Sequence, residues 1–326
     1  MNDWLEKMLS DEKKPLPVLS YPAVQKLGVS VKELAFSPDM QAEGIRFIAE
    51  RYNMAAAVTY MDLSVEAEAF GADCVYSENE VPTITGRLIA DENDAAALKI
   101  PEIGAGRTGK CIETVKKTIE FISDRPVFAG CIGPFSLAGR LMNVNEIMVS
   151  CCIEPELVHA VLEKTTQFVI SYVTALKNAG ANGAVIAEPL AGLLSPELMR
   201  EFSSEYFARI TSETEDDGFL IIYHNCGNAV NRLVPQILMT GCRAFHFGDA
   251  ADMKNLLEQL PADKLVLGNI SASSVFNNGT PEKMREAVRD LKEKCAGHRN
   301  FILSSGCDIP PQTPFDTIDA FFEAAL

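Results

Sequence analysis

Several things are scarce in this chain, and each scarcity excludes something. Lysine and arginine number 29 against 45 aspartates and glutamates, a net charge of −16. A chain of that sign is ill suited to nucleic-acid phosphates or anionic membranes, which require clustered cations. No apolar run reaches the roughly 20 residues needed to cross a bilayer, so no membrane insertion is expected. The N-terminal stretch MNDWLEKMLSDEKKP is charged and lacks the apolar core of a secretory signal. Nine cysteines, an odd number at irregular spacing, do not make a disulfide framework. The expectation is a cytoplasmic protein whose thiols are mostly reduced and buried. Linkers, low-complexity segments and sequence repeats are also missing, so residues 1–326 are expected to be a single domain.

What is present is apolar residues, 47% of the chain, in a recurring unit. A short apolar run, often β-branched, is followed by a loop and then by a helical pattern. The clearest runs are Ala184–Ala187, Phe219–Tyr223, Arg243–Phe247, Leu265–Asn269 and Phe301–Ser305. Earlier ones are Leu16–Tyr21, Ala55–Tyr60 and Pro126–Cys131, which makes eight. Between them lie amphipathic stretches such as PELVHAVLEKTTQFVISYVTALKNAG and PEKMREAVRDLKEKCAG. Each opens on proline with an acid in its first turn, and the second runs out in lysine, cysteine, alanine and glycine. Continuous apolar strands alternating with helices imply parallel strands covered on the outside. At this length the fold class expected is α/β, a (β/α)8 TIM barrel; a doubly wound sheet is the alternative.

Residues 61–124 are too many for a plain βα unit and are expected to be an insertion after strand two. Within them ENEVPTITGRLIADEND alternates as a β-hairpin does. An insertion there would lie near the C-terminal mouth of the barrel, as a lid or as decoration. The same region contains GAGRTGKC, Gly104 to Cys111, which matches the outline of a phosphate loop. A phosphate loop must leave a buried strand and open a helix. The preceding AAALKIPEI makes a poor strand, and Cys111 stands where a magnesium-holding serine or threonine belongs, so the match is read as a plain approach to a helix.

Ligand-type residues gather at two strand ends. LIIYHNCGNAV carries His224 and Cys226, and FILSSGCDIPPQTP carries Cys307, 81 residues later. Residues two apart at a strand terminus lean to the same side, and in a barrel Cys307 reaches the same mouth. Two thiolates and an imidazole with a fourth position open describe a catalytic zinc site better than a structural one, and disfavour magnesium and calcium. From spacing alone, inert buried thiols remain the competing reading.

The surroundings of these residues carry a resemblance. GANGAVIAEPLAGLLSPELMREF, YHNCGN, LGNIS with GTPEKM, ILSSGCDIPPQTP and IGPFSLAGRLM together resemble the uroporphyrinogen decarboxylase superfamily, in order, from about Leu16 to the C-terminus. The His-x-Cys pair with a distant Gly-Cys is similar to its zinc-dependent corrinoid methyltransferase branch. The resemblance implies a (β/α)8 barrel with zinc at its mouth, held by His224, Cys226 and Cys307. It also implies a corrinoid (methylcobalamin) as methyl-carrying substrate, a transient corrinoid protein partner, and a small-molecule thiol or methylated substrate. The decarboxylase branch fits less well. The arginines with which it grips a tetrapyrrole's carboxylates are absent from PLPVLSYPAVQKLG, and a polyanionic substrate requires cations.

Zinc with two thiolate ligands is a weak Lewis acid toward water but keeps a substrate thiol ionised. The reaction expected is therefore methyl transfer between a methylcorrinoid and a thiol such as coenzyme M. Alternatives are demethylation of a methylated substrate toward the corrinoid, a tetrapyrrole decarboxylase, and a non-catalytic zinc-stabilised binding barrel. Glu188, beside the His224 strand, is a candidate fourth ligand or an orienter of His224, with a turn carboxylate as the competing reading. Asn269 matches a family Gly-Asn position and is a candidate pocket residue. Asp249 and Asp308 read as helix caps or loop acids. His246, if it alternates inward, is a core or pocket histidine. His159 and His298 read as surface residues, and Cys74, Cys111, Cys131, Cys151, Cys152, Cys242 and Cys295 as structural.

Overall fold

Alternation along the strands decides which residues meet inside. In LIIYHN, Leu220 and Ile222 join one buried cluster while Ile221 and Tyr223 join another. The inner cluster takes Val58, Phe128, Val185, Ala187, Ala244, Leu265, Leu267 and Ile302 from successive strands, and the outer one packs against helices. This two-sided burial is the reason the strands read as continuous apolar runs.

The computed structural model describes residues 1–10 and 13–325. Its strands, in chain order, are β1 (Ala57–Val58), β2 (Asp73–Val75), β3 (Thr83–Thr85), β4 (Val127–Ile132) and β5 (Gly183–Ala187). They continue with β6 (Leu220–Asn225), β7 (Ala244–Phe247), β8 (Leu265–Ile270) and β9 (Phe301–Ser305). Seven pair in parallel in the order β1-β4-β5-β6-β7-β8-β9, while β2 and β3 form a separate antiparallel pair. Helices fill the crossovers, among them Thr108–Phe121, Pro155–Asn178 and Pro281–Lys294. The result is a TIM-barrel-like α/β fold. Among the described residues, no helix is long and apolar enough to cross a membrane.

The expected first strand, Leu16–Tyr21, belongs to no ladder, although it lies where an eighth stave belongs. Leu16 N–H donates to the Leu303 carbonyl on the β9 side, and Ala55 N–H donates to the Pro15 carbonyl on the β1 side. Pro15 and Pro17 have no N–H, so alternate ladder bonds cannot form. On the other edge, facing β9, two serine side chains supplement the backbone bond. Ser305 Oγ accepts from Val18 N–H (3.0 Å) and Ser304 Oγ donates to the Leu16 carbonyl (2.6 Å). At the opposite, N-terminal end of the strands, the charged N-terminus proves to be a plug. The helix Asn2–Met8 puts Leu5 and Met8 into the inner cluster, and Trp4 Nε1 donates to the Ala55 carbonyl.

The long segment after β1 is held by one arginine. Arg107, from the GAGRTGKC stretch, is almost fully buried and pairs with Asp62 and with Glu68 (2.6 Å). It also donates to Ser64 Oγ (2.7 Å) and lies over the rings of Tyr76 and Phe36. The residues before Gly104 form no strand, so the phosphate-loop outline is a coincidence of glycines. The hairpin expected within ENEVPTITGRLIADEND is present only as its second strand, β3; its partner β2 lies upstream. Nearby, the buried Glu66 accepts from Ile132 N–H through one carboxylate oxygen, and the other oxygen has no partner. Burial pushes its pKa up to about 7.

Two outcomes follow. Arg107→Ala removes the cation between two carboxylates and is expected to cost about 3–5 kcal/mol in urea unfolding; a loss below about 1 kcal/mol would mean the clamp contributes little. For Glu66 the folded protein holds a proton that the unfolded chain releases between pH 4.5 and about 7. Its stabilising contribution is therefore full below pH 4.5 and declines as pH rises through that window, by at most about 1.4 kcal/mol per unit. Glu66→Gln should flatten the stability profile there relative to wild type; parallel profiles would contradict the assignment.

Candidate metal centre

The site is built where backbones approach too closely for side chains. After β6 the chain turns at Asn225, whose Oδ1 accepts from Gly227 N–H (2.9 Å) and whose Nδ2 donates to Tyr223 Oη (3.0 Å). This side-chain-closed turn holds Cys226 between them. A Cβ on Gly248 would lie 2.6 Å from the Cys226 Cα, and one on Gly306 2.7 Å from the Asp249 nitrogen. The glycines after β7 and β9 thus let three strand ends converge.

His224, on β6, is paired in register with Ala187 of β5 and His246 of β7. It is 5% exposed, and Cys226 and Cys307 are half-buried. The three donor atoms all lie within 4.8 Å of one another, with His224 Nε2 to Cys307 Sγ at 3.9 Å. Bond lengths of 2.0–2.3 Å to a tetrahedral zinc would separate such donors by about 3.6 Å, so the set fits after a small contraction. The two thiols perturb each other. A hydrogen bond from Cys307 holds the Cys226 thiol below its ordinary range, and the same bond, with burial, pushes Cys307 up to about 12.

Above the donors lies a small recess walled by Val18, Met61, Leu63, Ala187 and Pro189. Among the described residues, no lysine or arginine lines it, and its one acid is Asp308. Both Asp308 carboxylate oxygens are buried without a hydrogen-bond partner, and burial raises its pKa well above the ordinary range. It caps no helix, since the next one begins at Phe315. In the sequence it reads as a helix cap or loop acid; its place directly after Cys307 is the available signal. Asp249 caps nothing either, because Asp252 is the N-cap of Met253–Gln259.

Glu188 and Asn269 are brought elsewhere. The Glu188 carboxylate accepts from Phe135 N–H (2.9 Å), Ser136 N–H (3.0 Å) and Ser136 Oγ (2.8 Å). It thereby caps the helix Pro134–Met142, whose N-cap is Gly133 and offers no side chain. It is not among the converging donors, nor does it bond to the His224 ring. The turn-carboxylate alternative is closer to what is found, and burial pushes the pKa of Glu188 up to about 7. Asn269 Nδ2 donates to the Gly248 and Ala251 carbonyls, bracing the β7 loop outside the recess.

His246 faces inward, as alternation predicts, and touches His224 directly (Nδ1 to Nδ1 2.6 Å). His159 is half-buried and bonded to Tyr206 Oη and Glu201 rather than free at the surface. None of the seven remaining cysteines joins the cluster, and all nine are unpaired.

Comparison with known proteins adds context. The profile of the uroporphyrinogen decarboxylase (URO-D) family matches residues 17–326. A methylcobamide:CoM methyltransferase of Methanosarcina acetivorans is 26% identical over 269 residues, 81% of this chain and 77% of its own. A uroporphyrinogen decarboxylase of Hydrogenovibrio crunogenus is 25% identical over 315 residues, 93% and 87% of the two chains. A solved methyltransferase from Methanosarcina mazei superposes with a TM-score of 0.88, covering 99% of this chain and 97% of that one at 23% identity, which is a likeness of fold.

The two roles open to Glu188 separate cleanly. Glu188→Ala strips an acceptor from three buried donors and is expected to cost about 3 kcal/mol in urea unfolding while metal content is unchanged. Lost metal with unchanged stability would make Glu188 a ligand instead.

Proposed function

The chain belongs to the uroporphyrinogen decarboxylase family, and we propose that within it this protein is a zinc-dependent methyltransferase, moving a methyl group between a methylcorrinoid and a thiol such as coenzyme M. The observation that carries this reading is the convergence of one imidazole nitrogen and two cysteine sulfurs beneath a recess without cations. A tetrapyrrole with several carboxylates would find no arginine or lysine on that wall. A soft metal, by contrast, matches the donor set.

His224 Nε2, Cys226 Sγ and Cys307 Sγ would hold the zinc, leaving one side open toward the recess. When bound, the metal supplies a cation that keeps a thiol ionised at neutral pH. Met61, Leu63 and Pro189 exclude water from the thiol's sulfur, which sharpens its reactivity. The transfer would form a sulfur–carbon bond and break the methyl's bond to the corrinoid, which would keep the bonding electron pair. The thiol's proton goes to solvent. The recess is about 60 Å³, far too small for a macrocycle, so the corrinoid would approach from the open side, carried by a transient protein partner. In this reading residues 1–326 work as one barrel domain, with 61–124 covering part of the mouth. Asp308, unpartnered in the recess, is available to a polar group of the thiol substrate.

The test couples metal content to methyl transfer. Purified protein should carry about one zinc per chain, and Cys307→Ser should weaken its retention against a chromogenic chelator by more than about 100-fold. Methylcobalamin absorbance should fall with at least one thiol of a panel that includes coenzyme M and homocysteine. Zinc without any thiol-dependent demethylation would favour transfer from a methylated substrate to the corrinoid. Activity in protein freed of zinc would contradict the proposal.

A further inference from the structure

Four polar groups run in a line from the metal centre down the barrel interior to the chain's N-terminal stave. His224 Nδ1 lies 2.6 Å from His246 Nδ1, His246 Nε2 lies 2.9 Å from Ser304 Oγ, and Ser304 Oγ lies 2.6 Å from the Leu16 carbonyl oxygen. His224 and His246 are 5% and 2% exposed, and Ser304 is fully buried. The protons on this line can be assigned by counting donors. A carbonyl oxygen only accepts, so the Ser304 hydroxyl proton lies toward Leu16. Ser304 Oγ must then accept from His246, which places that ring's proton on Nε2 and leaves its Nδ1 bare. A bare Nδ1 accepts, so His224 carries its proton on Nδ1. The same conclusion comes from a second contact, because His224 Nδ1 also faces the His246 carbonyl oxygen at 3.3 Å, and a bare nitrogen there would oppose a lone pair.

We infer that Ser304 and His246 are positioning residues that lock His224 in the Nδ1–H tautomer, so that the bare Nε2 is aimed at the two cysteine sulfurs, and that the Leu16 carbonyl anchors this lock. This rests on the metal-centre reading for its purpose but not for its geometry. Metal-bound histidines commonly donate their second nitrogen to a carboxylate or carbonyl. Here the main acceptor is a neutral imidazole, itself oriented by a serine whose direction is set by barrel closure. The line gives a physical reason for a histidine inside an otherwise apolar barrel core. It also explains why His246 and Ser304, neither of which reaches the recess, should affect metal binding.

The chain has only four histidines, so each tautomer can be read directly. Long-range 1H–15N NMR on metal-free protein labelled at histidine, assigned with His159→Gln, His298→Gln and His246→Phe, is expected to show Nδ1–H for His224 and Nε2–H for His246. The opposite tautomer at His224 would overturn the inference, whatever the protein catalyses. Ser304→Ala should let the tautomers mix and weaken zinc or cobalt(II) binding about 10- to 100-fold, and Ser304→Thr should restore both. His246→Phe, which keeps a ring but can neither accept from His224 nor donate to Ser304, should weaken metal binding at least as much as Ser304→Ala. Ser304→Ala that lowers stability alone, with tautomer and metal affinity unchanged, would reduce Ser304 to a structural role. Failure of methyl transfer with the predicted tautomers intact would count against the proposed function and leave this inference standing.

Discussion

The stave that closes this barrel cannot form a full ladder, and much of the site follows from that constraint. Pro15 and Pro17 withhold two N–H groups on the β1 side, and on the β9 side the single backbone bond from Leu16 N–H to the Leu303 carbonyl is joined by bonds to two serine side chains. Ser305 receives Val18 N–H, and Ser304 donates to the Leu16 carbonyl. A serine whose proton is committed in one direction must accept from the other, and this directionality passes through His246 to His224. Barrel closure and the orientation of His224 are thus one hydrogen-bonded system.

Around this axis the mouth is assembled from buried polar groups, each answered locally. Three donors at the Pro134–Met142 helix start meet the Glu188 carboxylate, and Arg107 meets two acids of the segment after β1. Their desolvation is offset by partners at hydrogen-bond distance, which keeps them in place without making them reactive. Asp308 is different: it sits in the recess with no partner. The contrast separates groups that hold the mouth together from one left available inside it.

Much of the barrel was legible because its signals are periodic. Runs such as Phe301–Ser305 bounded a strand closely, and alternation in AFHF correctly turned His246 inward. The convergence of His224, Cys226 and Cys307 was legible because strand ends in a barrel share one mouth. What sequence could not show depends on contacts distant along the chain. The run Leu16–Tyr21 reads as a strand, yet Pro17 has no N–H to give a ladder, and the serines that bond its other edge lie nearly 290 residues away. Glu188, at a strand end beside His224, reads equally as a ligand, an orienter of His224 or a turn carboxylate, and its bonds to the capless Gly133 start of another helix depend on residues some fifty positions away. Arg107 was hidden inside a glycine-rich motif that suggested phosphate.

The central claim is that one imidazole and two thiolates of this chain hold a zinc ion with a fourth position open. X-ray absorption at the zinc edge of the purified protein reports that donor set directly. The account predicts two sulfur scatterers at about 2.3 Å and one imidazole nitrogen at about 2.0–2.1 Å, with a fourth donor that changes to sulfur when a substrate thiol is added. A shell of oxygen and nitrogen alone, or no zinc in the preparation, would contradict it.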